Sequence, residues 1–182
     1  MNERRFALFE TPIGPCAIAW SAAGVAGVQL PEADLEQTRR RAQRRFGAGS
    51  EASPPENVRQ AIDEIVALLS GTPAELGSVT LDMEGIGAFE RLVYDSARRI
   101  APGRTQTYGE IAAGLGDPAL ARAVGQALGR NPFAVVVPCH RVLAADGRIG
   151  GFSAGGGTIT KRRLLLIEGA RAGSEPDLFD PG

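Results

Sequence analysis

Between Thr107 and Pro132 the chain is punctuated more tightly than anywhere else, and this limits it to two short helices and a corner. Thr107-Tyr108-Gly109-Glu110 has the form of a capping box, with Thr107 able to cap and Glu110 able to reach back. Ile111, Ala112 and Leu115 then recur on one side, and Gly116 ends the run. Asp117-Pro118 opens a second helix as N-cap and first-turn proline, and this helix runs to about Leu128. Gly129-Arg130-Asn131-Pro132 closes it. The residue before a proline is biased towards extended backbone, so Asn131 is a stiff corner. Two short helices joined by a tight glycine-containing turn predict a helix-turn-helix.

The second helix carries an unusual outer face. Leu120, Val124, Ala127 and Leu128 form its apolar stripe, and Arg122 lies about 160° from the middle of that stripe at ~100° per residue. Its neighbours on the outer side are Pro118, Gly125, Gln126 and Gly129. A helix that is only solvated usually carries more charge. One arginine among small residues suits close approach to another backbone, such as a DNA groove. A merely solvated arginine is the alternative.

Downstream of the corner, Val135-Val136-Val137 runs into Pro138-Cys139-His140-Arg141-Val142. The pattern reads as a buried strand, a sharp corner at Pro138 and a second short strand over 142–144. His140 is the only histidine and stands beside one of two cysteines. A nearby base or cation favours the nucleophilic thiolate, and His140 and Arg141 are the local candidates. Adjacent strand side chains point to opposite faces, so His140 reaches Cys139 only if the corner bends or a water bridges them. A core cysteine beside a structural histidine is the plain alternative.

The rest of the chain reads as an α/β (α+β) protein. Residues 5–10, 16–20 and 25–30 predict a three-stranded antiparallel meander, with turns at Thr11-Pro12-Ile13-Gly14-Pro15 and Ser21-Ala22-Ala23-Gly24. Residues 33–46 predict a helix whose basic face (Arg39, Arg40, Arg41, Arg44, Arg45) reads as solvated. Residues 58–69 predict a second helix and 79–81 a short strand. Gly85-Ile86-Gly87 marks a boundary between domains 1–85 and 86–171, with 172–182 as an acidic tail. Residues 89–100 predict a helix with Phe89, Leu92, Val93, Ala97 and Ile100 on one side. Asp146-Gly147 predicts a hairpin turn, and 152–158 a loop. The last helix is expected over 161–168, capped by Thr160 and ended by Gly169. Glu168 then sits at a helix C-terminus, where the dipole disfavours an acid by ~0.3–1 kcal/mol. A misplaced charge asks for a partner. His140 is one candidate; Arg171 and solvent are the others.

Net charge is −1, but it is unevenly spread: residues 1–96 carry −5, 97–171 carry +7 and the tail −3. A basic segment beside an acidic one is the footprint of a nucleic-acid face. No apolar run approaches a membrane span, and the N-terminus shows no signal-peptide core, so a cytoplasmic protein is expected. A reducing compartment argues against a Cys16–Cys139 disulfide. Two cysteines and one histidine cannot fill the four positions of a Cys/His zinc site.

These residues closely resemble the O6-alkylguanine-DNA alkyltransferases, also called methylated-DNA–protein-cysteine methyltransferases. The resemblance runs through Thr107-Tyr108-Gly109-Glu110-Ile111-Ala112, Ala121-Arg122-Ala123-Val124-Gly125, Asn131-Pro132, Pro138-Cys139-His140-Arg141-Val142, Leu164-Leu165 and Glu168-Gly169. It is looser before residue 85, through Thr11-Pro12-Ile13-Gly14-Pro15 and the following strands. It implies an N-terminal ribonuclease-H-like domain, expected to be an antiparallel sheet with helices, and a C-terminal helix-turn-helix alkyltransferase domain. It also implies direct reversal of O6-alkylguanine in double-stranded DNA, with the nucleotide flipped out because no side chain reaches the lesion inside a duplex.

By the same resemblance Cys139 would attack the alkyl carbon, His140 would take the thiol proton through a water, and Glu168 would hold the histidine. Tyr108 would crowd the phosphate and donate to guanine N3. Arg122 would enter the vacated stack, with Thr107, Ala123 and Gly125 beside it on the DNA face. Asn131, Val142, Phe152 and Ser153 would build the substrate pocket, the Val142 carbonyl accepting from the exocyclic amine and Ser153 donating to the oxygen. No metal or small cofactor is implied. A monomer that acts once is expected, since the thioether has no cheap reversal. The chain departs from the commoner pattern at Phe152 (often tyrosine), at Tyr94 (often tryptophan) and in a longer glycine loop before Lys161.

Three rival readings stand beside this one. A non-catalytic sensor of alkylated bases on the same scaffold typically has tryptophan in place of the nucleophile. A Cys-His-Glu hydrolase would need an oxyanion hole and leaves the helix-turn-helix unexplained. A transcription regulator leaves the Pro-Cys-His-Arg corner unexplained.

Overall fold

The computed structural model describes residues 3–152 and 156–170. Ser153, Arg171 and the acidic tail lie outside the described residues, so the roles read for them are not taken up below. Three strands form as expected: β1 (Arg5–Phe9), β2 (Cys16–Ser21) and β3 (Gly24–Gln29). α1 (Leu35–Phe46) follows, capped by Asp34, whose carboxylate accepts from Gln37 N. The sheet is mixed rather than purely antiparallel. A two-residue strand, β4 (Ser50–Glu51), joins β1 in parallel, giving the order β3-β2-β1-β4.

The two faces of this sheet follow the period of two. Phe6, Ala17, Ala19 and Ala26 point to one side and meet Ala42 and Phe46 of α1. Small side chains there let the helix approach closely. A Cβ at Gly27 would lie 2.2 Å from the Phe46 ring, so only glycine leaves that ring a seat. Ala7, Cys16, Ile18, Trp20, Val25 and Val28 point the other way, into the main core.

That core is shared with the rest of the chain. α2 (Glu56–Leu69) buries Val58, Ala61, Ile65, Leu68 and Leu69. α3 (Ala88–Arg98) buries Val93, Tyr94 and Ala97, while Leu92, expected on the same side, is exposed. Residues 79–81 give an isolated bridge, Leu81 to Val25, in place of a strand. β5 (Gln106–Thr107) leads into α4 (Tyr108–Gly114), and both halves of the expected capping box are present. The Asp117 side chain accepts from Ala119 N and starts a 3-10 turn, Pro118–Leu120, that runs into α5 (Ala121–Gly129).

The segment after α5 departs most from expectation. Residues 135–137 are a buried turn rather than a strand: Ala134 bridges Val137, and Val135 is left-handed at φ 71°. The turn wins because the chain must reverse here to dock Phe133 beside Val28 of β3. Cys139–Arg141 is a 3-10 turn, so the strand alternation expected of Cys139 and His140 does not apply. β6 (Val142–Leu143) pairs in parallel with β5. The turn at Asp146-Gly147 forms, with Ala144 N donating to Arg148 O at 3.0 Å, but among the described residues no second strand returns from it. α6 (Gly157–Ile167) starts earlier than expected, at Gly156 in the left-handed region, so Thr160 lies inside the helix. Among the described residues no helix is long and apolar enough to cross a membrane.

Candidate active site

Asn131 ties the end of α5 to the turn that carries Cys139. Its backbone N donates to Leu128 O at 3.1 Å, continuing the helix by one bond. Its side chain then works in two directions: Nδ2 donates to Val137 O at 2.9 Å, and Oδ1 accepts from Phe133 N at 2.8 Å. Asn131 is 3% exposed, so both bonds are made away from water. Tyr94 supports the corner from α3. Its hydroxyl donates to Ala127 O at 3.0 Å, and its ring meets Phe133 edge-on at 6.1 Å.

Cys139 sits two residues past the last of these bonds, with its N donating to Val137 O at 2.8 Å. It is a free thiol and half-buried. Burial pushes the thiol above its ordinary value. The Asn131 amide by hydrogen bonding, and Lys161 and Arg45 by charge, pull the other way. Cys16 is the contrasting case: buried in the sheet, it is pushed up to about 12, chiefly by desolvation, and is inert as a nucleophile.

His140 turns away from solvent towards α6. Its Nε2 lies 2.8 Å from Glu168 Oε1, and the two side chains are 1% and 3% exposed. Arg141 grips the same carboxylate, Nε to Oε2 at 2.9 Å and Nη2 to Oε1 at 2.7 Å, and its Nη1 donates to Ile100 O at 2.6 Å. Burial raises Glu168, but the hydrogen bonds from His140 and Arg141 outweigh it and hold the carboxyl at about 2. Burial pushes His140 below its ordinary value, so the ring is neutral at pH 7. An ionised carboxylate only accepts, so Nε2 carries the proton. Nδ1 is then the acceptor nitrogen, and among the described residues it has no hydrogen-bond partner. Arg141 was expected as the cation beside the thiolate; it is instead committed to Glu168 and Ile100.

Lys161 fills that place, and the sequence reading passed over it. It is the only lysine in the chain, and it is 1% exposed on α6. Its Nζ donates to Val142 O at 2.6 Å and lies 3.5 Å from the Tyr108 hydroxyl. Burial lowers its affinity for the proton. A lone lysine in an arginine-rich chain was the available signal, because lysine responds to burial in a way arginine does not. Arg45, read as part of a solvated face, is the second cation and points inward to Asn131 O at 2.6 Å.

Tyr108 opens α4 and stands beside this group. Burial raises its hydroxyl above the ordinary value, so it is held protonated. A Cβ at Gly150 would fall 2.8 Å from that hydroxyl, so the 150 position must be glycine for Tyr108 to lie where it does. Phe152 packs at the edge of the core, and Val142 is fully buried in β6. On α5, Arg122 is exposed, and Ala123 and Gly125 are half-buried. Thr107 serves α4 as its cap. The structure thus gathers Cys139, His140, Glu168, Asn131, Tyr108 and Val142 around one turn and leaves Arg122 outside it, on the helix face.

A cavity of about 310 Å³ lies behind the turn, lined by Arg98, Ile100, Val135 and Pro138; Cys139 does not line it. Among the described residues no three His, Cys, Asp or Glu side chains converge as a metal site would require.

Residues 88–170 match the family model for the 6-O-methylguanine DNA methyltransferase DNA-binding domain. The chain is 37% identical to the methylated-DNA–protein-cysteine methyltransferase of Mycobacterium tuberculosis over 94% of its own length and 96% of the relative's. It is 34% identical to the protein of that name from Methanosarcina acetivorans, over 91% and 98%. The crystal structure of M. tuberculosis OGT in complex with DNA superposes with a TM-score of 0.72 at 34% identity, covering 93% of this chain and 96% of that one.

Proposed function

Since this chain belongs to the methylated-DNA–protein-cysteine methyltransferase family, we propose that it repairs O6-alkylguanine in duplex DNA by moving the alkyl group onto Cys139. The observation that carries this reading is a half-buried thiol on a turn held by Asn131 and followed at once by a histidine locked to a buried carboxylate. The division into domains 1–85 and 86–171 goes with the reading, as does action as a monomer in a reducing cytoplasm, where two unpaired cysteines persist.

The chemistry needs one nucleophile, one base and one acid. Cys139 Sγ attacks the alkyl carbon, the carbon–O6 bond breaks, and the electron pair stays with the guanine. The thiol proton leaves through a bridging water to His140 Nδ1, and Glu168 stabilises the imidazolium across the Nε2 bond. Tyr108 donates to guanine N3 as the base gains charge, with Lys161 3.5 Å away to support the phenolate side of that exchange. The Val142 carbonyl receives the guanine amine, with Phe152 beside it. Lys161 already donates to that carbonyl, and a carbonyl has a second lone pair to offer.

Delivery of the base falls to the helix-turn-helix. Arg122 on the smooth face of α5 enters the stack as the nucleotide leaves it, and Thr107, Ala123 and Gly125 line the approach. The thioether is stable, so each chain acts once. Intact mass after mixing with a duplex containing O6-methylguanine tests the reading. A gain of one methyl supports it; an unchanged mass with retained binding would mean a sensor instead.

A further inference from the structure

Alkyl transfer to Cys139 leaves the N-terminal half without a task, and one contact across the halves supplies one. Arg45 lies in the last turn of α1, and its Nη2 donates to Asn131 O at 2.6 Å across 86 positions of sequence. The next carbonyl is held from the same side, by Val28 N donating to Pro132 O at 2.9 Å, and Val28 bridges Phe133. Two successive carbonyls of the corner are therefore fixed by the N-terminal sheet and helix. Its inner side is fixed by the Asn131 amide.

Arg45 also differs from its neighbours on α1. Arg39, Arg40 and Arg41 each pair with a carboxylate, at Glu36, Glu51 or Glu32, and Arg44 is exposed to solvent. Arg45 is half-buried, and among the described residues it has no carboxylate within ion-pair distance. Its guanidinium stands 5.6 Å over the Phe46 ring. A cation taken out of water without a partner is costly, so its placement at a carbonyl calls for a reason.

We propose that Arg45 is a positioning residue through which the N-terminal half sets the Asn131 corner and the reactivity of Cys139. The inference rests on Cys139 being the acceptor of the alkyl group. Desolvation lowers Arg45 and the thiolate of Cys139 acts to restore it, while Arg45 in turn favours that thiolate. Among the described residues the other groups that act on Cys139 are Tyr94 on α3, Tyr108 on α4 and Lys161 on α6, while His140, next in the chain, turns to Glu168.

The test compares Arg45→Lys, which keeps the charge and a donor, with Arg45→Gln, which keeps a donor alone. The readout is the rate of Cys139 alkylation by iodoacetamide against pH, with no DNA present, beside methyl transfer from a lesion duplex. Arg45→Gln is expected to move the Cys139 profile to higher pH and slow both reactions roughly threefold to tenfold at neutral pH, the equivalent of half to one pKa unit. Arg45→Lys is expected to restore the profile. An Arg45→Gln profile within about twofold of the parent across pH, even with a lowered melting temperature, would reduce Arg45 to a structural contact. A shifted profile in a parent protein that takes no methyl group would sink the alkyl-transfer reading and leave the thiol effect standing.

Discussion

His140 and Glu168 are joined at 2.8 Å across 28 positions of sequence, with both side chains out of water. The carboxylate fixes which ring nitrogen holds the proton and which is free to receive one. His140→Gln removes the base and keeps Arg141 paired with Glu168, so the fold survives. Transfer from a lesion duplex should slow about a hundredfold, within the usual range for a general base, with DNA affinity unchanged. Glu168→Gln should lose a similar amount, and the double variant little more, since the residues act as a unit. Single-turnover rates for the four proteins check this; additive losses would mean that the two act separately.

The same pair sets the response to acid. The Glu168 carboxyl drops from an ordinary 4.5 to about 2 in the fold. A depressed carboxyl contributes stability that is fully present above its unfolded value and is lost as pH falls through the folded one. The contribution is about 3 kcal/mol, and it fades between about pH 4.5 and pH 2. His140 is also depressed and adds in the same direction. Urea midpoints from pH 7 down to 3 should fall less steeply in Glu168→Gln. That variant starts lower, because Arg141 is left buried without its anion.

Arg122 is exposed on α5. Arg122→Ala should slow repair of a duplex by about tenfold or more, since unstacking costs a few kcal/mol. Reaction with free O6-benzylguanine, which needs no unstacking, should stay within about twofold. Parallel rate measurements on the two substrates decide it, and equal losses would remove the finger role.

Asn131→Ala leaves Phe133 N without its partner inside the core, while Val137 O keeps only the bond from Cys139 N. The stranded N–H costs about 1–3 kcal/mol. Chemical denaturation should show that loss, and alkylation of Cys139 should slow as its turn loosens. Full stability in this variant would mean that water or a neighbouring amide replaces the side chain.

Much of this was legible in the sequence wherever the signal was local. The capping box at Thr107 and Glu110 and the Asp117-Pro118 start are written in adjacent residues and form as read. The dipole argument marked Glu168 as a charge in want of a partner and gave His140 as one candidate beside Arg171 and solvent; the resemblance chose His140, and the contact is made at 2.8 Å. The valine run misled because 135–137 has strand composition while the docking of Phe133 on β3 forces a turn, a demand made from over a hundred residues away. Arg45 and Lys161 were missed for a related reason. A helix face reads as solvated until distant elements are laid against it: the Asn131 corner meets Arg45, and Val142 and Tyr108 meet Lys161, whose only mark in the sequence is that it is the lone lysine.

The central claim is that Cys139 accepts the alkyl group and does so once. The direct measurement mixes the protein with an excess of duplex carrying O6-methylguanine, then counts methyl groups per chain and maps them to a peptide. The account predicts one methyl per chain, on Cys139, and none in Cys139→Ala, which should still bind the duplex. A methyl group on Cys16, or more than one lesion repaired per chain, would contradict it.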